Sequence, residues 1–207
     1  MIKLYRHPLS GHSHRVELFL SLIQQDHELV EVDLLTGEQK TTDFLKINPF
    51  GKVPVIADDS NEGVVIADSN AILVYLARRY AKNTWYPDDP DISAEIQKWL
   101  SIAAGDINNG PATARLVTVF GAAYDPEQAK TIAYGLFDVL EKHLTGRAWL
   151  ADANPTIADV AAYAYIAHAP EGDVSLEPYP AVRTWLARIE ALPGFIPMQK
   201  TAVALAA

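Results

Sequence analysis

The chain has 207 residues, with 17 Lys and Arg against 26 Asp and Glu and a formal net charge of −9. That acidic balance argues against nucleic acid as a partner, because phosphates select basic surfaces. Hydrophobic residues make up 49% and charged residues 21%, which excludes disorder, and the length falls between one and two domains. There is no cysteine, so disulfides, cysteine-ligated zinc, iron–sulfur clusters and a cysteine nucleophile are excluded, and thiol chemistry would need a borrowed thiol.

Met1 to Pro8 lacks the apolar stretch of a signal peptide, and no window approaches the roughly 18 apolar residues of a membrane span. A cytoplasmic protein without a membrane partner is expected. Ile2 to Tyr5 reads as a buried strand closed by Pro8 and Gly11. From Ser13 the apolar Val16, Phe19, Leu20, Leu22 and Ile23 recur at helical spacing, and Val30, Val32 and Leu34 then alternate with Glu31 and Asp33 as a strand. This βαβ unit requires a right-handed crossover. The loop from Thr36 to Thr41 feeds a short helix over Asp43 to Ile47. Asn48-Pro49-Phe50-Gly51-Lys52 is a turn, and Val53 to Ala57 and Val64 to Ala67 form a hairpin around Asp58 to Gly63. Asp68-Ser69-Asn70 supplies capping side chains for a helix ending at Tyr80.

The order βαβαββα therefore occupies residues 1–80, followed by a linker over 81–87 and an all-helical bundle over 88–207. Its helices are expected at about 92–120, 126–144, 156–169 and 179–192, with a short one after Pro197 and a frayed end at Ala202 to Ala207. Gly110-Pro111 should bend the first of these without ending it.

Four segments carry a resemblance that spans essentially the whole chain. They are His7-Pro8-Leu9-Ser10-Gly11-His12-Ser13-His14-Arg15-Val16, Asn48-Pro49-Phe50-Gly51-Lys52-Val53-Pro54, Asp68-Ser69, and Asn154-Pro155-Thr156-Ile157-Ala158-Asp159. In order and spacing the sequence resembles the soluble glutathione transferases, above all the serine-type classes (phi, zeta, theta and their bacterial relatives). The missing cysteine removes the omega and beta classes. The resemblance implies a thioredoxin-like α/β domain followed by an all-α domain, glutathione as co-substrate, a small electrophile as second substrate, and a homodimer.

A free thiol titrates near pH 8.5, so only a few per cent is thiolate at neutrality, and the thiolate is the attacking form. Lowering that pKa by roughly two units takes about 2.7 kcal/mol. A hydroxyl donor at a helix N-terminus suits the task, and Ser10 stands where both converge. Turn chemistry or capping explains the same serine. The resemblance favours catalysis, because Ser10 stands five residues before Arg15-Val16 as the catalytic serine of phi- and zeta-like sequences does. Ser13 and Tyr5 are the competing hydroxyls. His7, His12 and His14 lack a neighbouring carboxylate and do not face one point on a helix, so no metal site is expected.

The resemblance makes Val53-Pro54 a cis peptide whose Val53 backbone pairs with glutathione like an added strand; an edge-strand proline is the plainer alternative. Asp68 and Ser69 offer partners for an ammonium and a carboxylate, which a γ-glutamyl group carries together, although capping explains them too. Gln39, Lys40 and Lys52 are placed by the resemblance at the glycine end of the tripeptide. The second substrate is expected against the bent helix bearing Asp106, Asn109, Ala112 and Arg115, with His12 lining the pocket. Thr156-Ile157-Ala158-Asp159 is a capping box, assigned to folding. The reaction expected is addition of the glutathione thiolate to an electrophile. The alternatives are a glutathione-dependent isomerase or lyase, disfavoured because Ser10-Gly11-His12-Ser13 lacks the Ser-Ser-Cys-Ser pattern of zeta sequences, and a non-catalytic binding module on the same fold.

Overall fold

The structure is a computed structural model that describes residues 1–60 and 63–201. Asn61 and Glu62 at the hairpin tip and the expected frayed end at 202–207 lie outside the described residues. The first half runs β1 (Ile2–Arg6), α1 (Gly11–Leu22), β2 (His27–Glu31), α2 (Thr42–Ile47), β3 (Val55–Asp58), β4 (Val64–Ala67) and α3 (Ser69–Tyr80). The sheet has the order β2-β1-β3-β4. β1 is parallel to β2, with Ile2 opposite His27, and antiparallel to β3, with Ile2 opposite Asp58.

Period-two alternation sorts the strand residues between two helical layers. Ile2, Leu4 and Ile56 are fully buried with Val16, Phe19 and Leu20 of α1 and Ile72, Leu73 and Leu76 of α3. On the opposite face Val55 packs with Val32 and Phe44 of α2, and Tyr5 joins this smaller cluster.

Several boundaries differ from the periodicity, among them the first hairpin strand, which runs Val55–Asp58 instead of Val53 to Ala57. α1 begins two residues before Ser13, because the Ser10 Oγ accepts from the Ser13 N–H at 3.2 Å and so caps the helix earlier. β2 ends at Glu31 rather than running to Leu34. One further ladder bond joins the Val32 N–H to the Arg6 carbonyl, and the Asp33 carboxylate then collects the N–H groups of Leu35 and Thr36 and turns the chain.

The second half is helical: α4 (Pro90–Ala104), α5 (Thr113–Phe120), α6 (Pro126–Leu144), α7 (Ile157–Ala167) and α8 (Pro180–Glu190). α4 and α5 are joined by a wide π turn over Asn108–Ala112 with Pro111 inside it. Proline removes one donor from the turn, and the Asn108 carbonyl accepts from both the N–H and the hydroxyl of Thr113, the latter at 2.8 Å. The single helix expected over about 92–120 is therefore divided: α4 ends at Ala104, where Gly105 (φ −96°, ψ −96°) leaves helical geometry ahead of Gly110-Pro111. Gly110 has no room for a side chain, since a Cβ there would lie 2.9 Å from the Ala133 nitrogen of α6.

α7 is the central helix, with every residue from Ile157 to Ile166 buried. At its start the Thr156 and Asp159 side chains form the expected capping box. Asp159 does more than cap. Its Oδ2 accepts from the Thr156 N–H, and its Oδ1 accepts from the Leu150 N–H and the Trp185 Nε1–H of α8, each at 2.9 Å.

The short helix expected after Pro197 does not form over Pro197–Thr201. Tertiary bonds hold this segment extended. His14 Nε2 meets the Ile196 carbonyl at 2.9 Å, and the Thr201 N–H and hydroxyl both donate to Glu171. Among the described residues no helix is long and apolar enough to cross a membrane.

Candidate active site

A cleft lies where the turns of the sheet meet the bend between α4 and α5. It comprises two hollows, of about 430 Å3 and 400 Å3, that share His12, Lys52, Val53 and Asn108 as common walls. The first continues over Arg15, Pro54, Asp68 and Ser69. The second contains Ser10, Gln39, Lys40 and Tyr165 and has an apolar side made by Leu34, Leu35, Ala112, Leu116 and Phe120.

Of the three competing hydroxyls, Ser10 alone lines this cleft. Ser13 is fully buried, and its Oγ accepts from the His7 N–H at 3.3 Å, which pins the β1–α1 turn from within. Tyr5 packs edge-on against Phe44 with ring centroids 6.5 Å apart, on the far side of the sheet. Ser10 sits as N-cap of a helix with no acidic residue in its first turn, so nothing there offsets the positive end of the helix dipole.

Asp68 is the N-cap of α3, at φ +74°, and its Oδ1 accepts from the N–H groups of Asn70 and Ala71. The Ser69 Oγ accepts from Arg15 Nη1 at 2.9 Å and lies 3.4 Å from His12 Nδ1. On the other side of the imidazole, His12 Nε2 meets Asn108 Oδ1 at 3.4 Å. This pattern assigns the ring proton to Nε2, so that Ser69 donates to Nδ1. Enclosure of the ring, helped by the Arg15 charge, pushes the His12 pKa down to about 3 and keeps it neutral.

Arg15 was quoted in the sequence pattern but given no role. Its side chain is 1% exposed. Nη1 donates to Ser69 and to Asn70 Oδ1, while Nε and Nη2 are buried without a partner. Burial draws its pKa down to about 10, which leaves it charged at neutral pH. A lone arginine on a helix face otherwise made of Val16, Phe19 and Leu20 was the signal that could have found it. The second missed residue is Asn108.

Asn109, expected in the second-substrate pocket, faces a separate hollow with Thr113, Tyr124 and Gln128. The π turn rotates the chain so that Asn108 looks into the cleft instead. Asp106 lines neither hollow of the cleft. Arg115 does line it, with two of its guanidinium nitrogens engaged and Nη2 buried without a partner. Nε donates to Glu171 at 2.6 Å and Nη1 to the Leu9 carbonyl at 2.9 Å, so it braces the turn carrying Ser10. Burial alone would raise the Glu171 pKa, yet hydrogen bonds from Thr201, Arg115 and His168 bring it down to about 2.

The Val53–Pro54 peptide bond is cis. Asn48 shapes the approach to it, donating to the Lys52 carbonyl at 2.8 Å and accepting from the Phe50 N–H at 3.1 Å. Gly51 has φ +57°, and a Cβ there would lie 2.8 Å from the Gln39 carbonyl, so glycine is required twice over. The Lys40 ammonium donates to the Gly51 carbonyl at 3.0 Å, which brings Gln39, Lys40 and Lys52 together at one end of the second hollow. His7, His12 and His14 do not converge: the His7 ring accepts from the Leu9 N–H, His12 meets Ser69 and Asn108, and His14 meets Ile196.

A mixed four-stranded sheet with a cis-proline turn beside a serine-capped helix, completed by a helical half, defines a two-domain protein of thioredoxin-like type. Residues 1–78 match the family model of the glutathione S-transferase N-terminal domain, and residues 111–193 match that of the C-terminal domain. The chain is 34% identical to glutathione S-transferase 3 of Zea mays, over 99% of this chain and 94% of that one. It is 32% identical to the disulfide-bond oxidoreductase YfcG of Escherichia coli (strain K12), over 94% of this chain and 92% of that one. A solved structure from Rhodopseudomonas palustris, described as a possible glutathione S-transferase, superposes with a TM-score of 0.88 at 36% identity, covering 97% of this chain and 99% of that one. The chain belongs to the glutathione S-transferase family. It is a glutathione S-transferase enzyme.

Proposed function

We propose that the enzyme binds glutathione across both hollows and uses the Ser10 hydroxyl to hold its thiol as thiolate for attack on an apolar electrophile. The observation that carries this reading is the position of Ser10, open to the cleft at the start of α1. The γ-glutamyl group then lies against Asp68 and Ser69, with the buried charge of Arg15 behind its carboxylate. The cysteinyl backbone pairs with Val53 ahead of Pro54, and the glycine carboxylate reaches Gln39, Lys40 and Lys52. The electrophile occupies the side made by Leu34, Ala112, Leu116 and Phe120. Ser10→Ala tests the central step. Bound-thiol pKa, followed by thiolate absorbance against pH, should rise by about one to two units with a roughly ten- to hundredfold rate loss near neutrality and glutathione affinity retained. An unchanged pKa removes Ser10 from the mechanism, and a wild-type thiol that is itself unshifted favours a binding module.

The relative named a disulfide-bond oxidoreductase favours a second reading at the same thiolate, reduction of a disulfide. Because the chain has no cysteine, two glutathione molecules would supply both electrons, yielding two thiols and oxidised glutathione. Assays with a halo-aromatic and with a small disulfide separate the two. We further infer a cytoplasmic homodimer; light scattering showing a single 22.7 kDa particle, or fractionation outside the cytoplasm, would refute it.

A further inference from the structure

His12 stands on the wall shared by the two hollows and is the middle member of a chain of three polar side chains that crosses from the sheet half to the helical half. Its Nδ1 lies 3.4 Å from the Ser69 Oγ and its Nε2 lies 3.4 Å from the Asn108 Oδ1. Both contacts are at the long end for hydrogen bonds, so little is lost when either reverses its direction. Asn108 belongs to the π turn, where the Thr113 hydroxyl holds its carbonyl at 2.8 Å. The backbone is thereby fixed, and the side-chain amide is left to turn. Its Nδ2 donates to the Asn109 Oδ1 at 3.3 Å, an exposed contact that water can replace.

Counting donors gives the state of this chain before a ligand arrives. The Asn108 oxygen takes the proton on Nε2, and the Ser69 hydroxyl, which accepts from Arg15 Nη1 at 2.9 Å, gives its single proton to Nδ1. A carboxylate at Ser69 changes the count, because it accepts only and competes for that proton. Once the hydroxyl turns to the carboxylate, Nδ1 faces a serine that is 4% exposed, with no donor between them, and an acceptor left unpaired in such a place is costly. The neutral ring has one remedy, which is to carry its proton on Nδ1. Ser69 then accepts from both Arg15 and His12 and donates to the carboxylate, so its one donor and both lone pairs are used. Nε2 becomes an acceptor, and the Asn108 amide must reverse to present Nδ2 to it. The exchange passes through water in the cleft, one proton leaving Nε2 and one arriving at Nδ1, with no change in net charge.

We infer that His12 is a positioning residue that transmits glutathione binding from one half of the enzyme to the other: the γ-glutamyl carboxylate at Ser69 shifts the imidazole from its Nε2–H to its Nδ1–H tautomer and reverses the Asn108 amide. The inference rests on the placement of that carboxylate at Ser69 proposed above. Asn108 lines both hollows, so the wall met by the second substrate depends on whether the first hollow is filled. Linkage makes the effect mutual, each ligand altering the affinity for the other.

The tautomer is read directly from nitrogen NMR spectra of the imidazoles, in which a protonated ring nitrogen resonates well apart from an unprotonated one, with His12→Gln identifying the signals. The probe is S-methylglutathione, which keeps both carboxylates and has no titrating thiol. The ring proton should sit on Nε2 in the free enzyme and on Nδ1 when the probe is bound. A saturating analogue that lacks the γ-glutamyl α-carboxylate should leave it on Nε2. In Asn108→Asp, whose carboxylate can only accept, the switch should be blocked and the affinity for the probe should fall roughly three- to tenfold by calorimetry, with thermal unfolding as the control for folding. The same tautomer with and without the probe, or a switch that survives in Asn108→Asp, overturns the inference. Ser69→Ala separates it from the reading beneath it. If that variant binds the probe with wild-type affinity, the placement of the carboxylate fails; if it binds more weakly while wild-type His12 keeps one tautomer throughout, this inference alone fails.

Discussion

Asp159 gives a stability prediction whose size separates a helix cap from a structural hub. A cap lost from an exposed helix end costs about 0.5–2 kcal/mol. Asp159 is 1% exposed and its carboxylate serves three buried N–H donors, those of Thr156, Leu150 and the Trp185 indole. Asp159→Ala strands all three away from water. At about 1–3 kcal/mol for each buried donor left unpaired, the cost is at least about 3 kcal/mol. Thr156→Ala removes one hydroxyl, which accepts from the Ala158 N–H and donates to Asp159 Oδ2, both at 3.3 Å, leaves the three N–H donors on Asp159 paired, and should stay within the range of a simple cap. Urea unfolding at fixed protein concentration, followed by tryptophan fluorescence, measures both, since Trp185 reports directly on the broken bond. Glutathione affinity of folded Asp159→Ala should match wild type, because Asp159 lies outside both hollows. Equal costs of about 1 kcal/mol for the two variants would refute the hub, and a selective loss of glutathione binding would refute its confinement to folding.

Arg15→Met should leave the stability of the ligand-free protein within about 1 kcal/mol of wild type, since a buried cation with two unpaired donors is a poor stabiliser. The same variant should weaken glutathione binding by at least tenfold, about 1.4 kcal/mol, by calorimetry. A large loss of stability with affinity intact would make Arg15 a strut. His14 is 4% exposed, and burial pushes its pKa from 6.5 down to about 4. The unfolded chain therefore binds the extra proton between pH 6.5 and 4, so stability is full above 6.5 and falls on acidification. The loss from pH 7 to pH 5 is about 2 kcal/mol from this group. His14→Gln should flatten the pH dependence of unfolding by that amount, and an unchanged slope would contradict the assignment.

Local chemistry made most of the fold legible. The capping residues Asp68 and Thr156 marked helix starts that the chain adopts, because such signals act within a few residues. Misreadings arose where partners distant in sequence decide. The segment after Pro197 has no local reason to stay extended; His14 and Glu171, far back in the chain, hold it. Asn109 and Asn108 are chemically identical in the sequence, and only the wider π turn selects which one faces the cleft. Arg115 lines the cleft as expected, but the partners of its Nε and Nη1, Glu171 and the Leu9 carbonyl, lie far off in sequence and could not be read from it. Tyr165 could not be singled out, since its register on a mostly apolar helix gives no hint that its ring rests on Gly11, more than 150 positions earlier.

The brace on the turn between β1 and α1 bears on how this family can be recombined. Arg115 grips the Leu9 carbonyl, the Tyr165 ring rests on Gly11, and the Ile196 carbonyl holds His14. The three contacts come from the α4–α5 arm, from α7 and from the segment beyond α8, and they flank Ser10 on both sides. A chimera that grafts a foreign helical half onto residues 1–80 thus replaces every one of these supports at once. Such an exchange would change reagent acidity along with electrophile preference, so the two halves behave as matched parts of one instrument rather than as an interchangeable handle and blade.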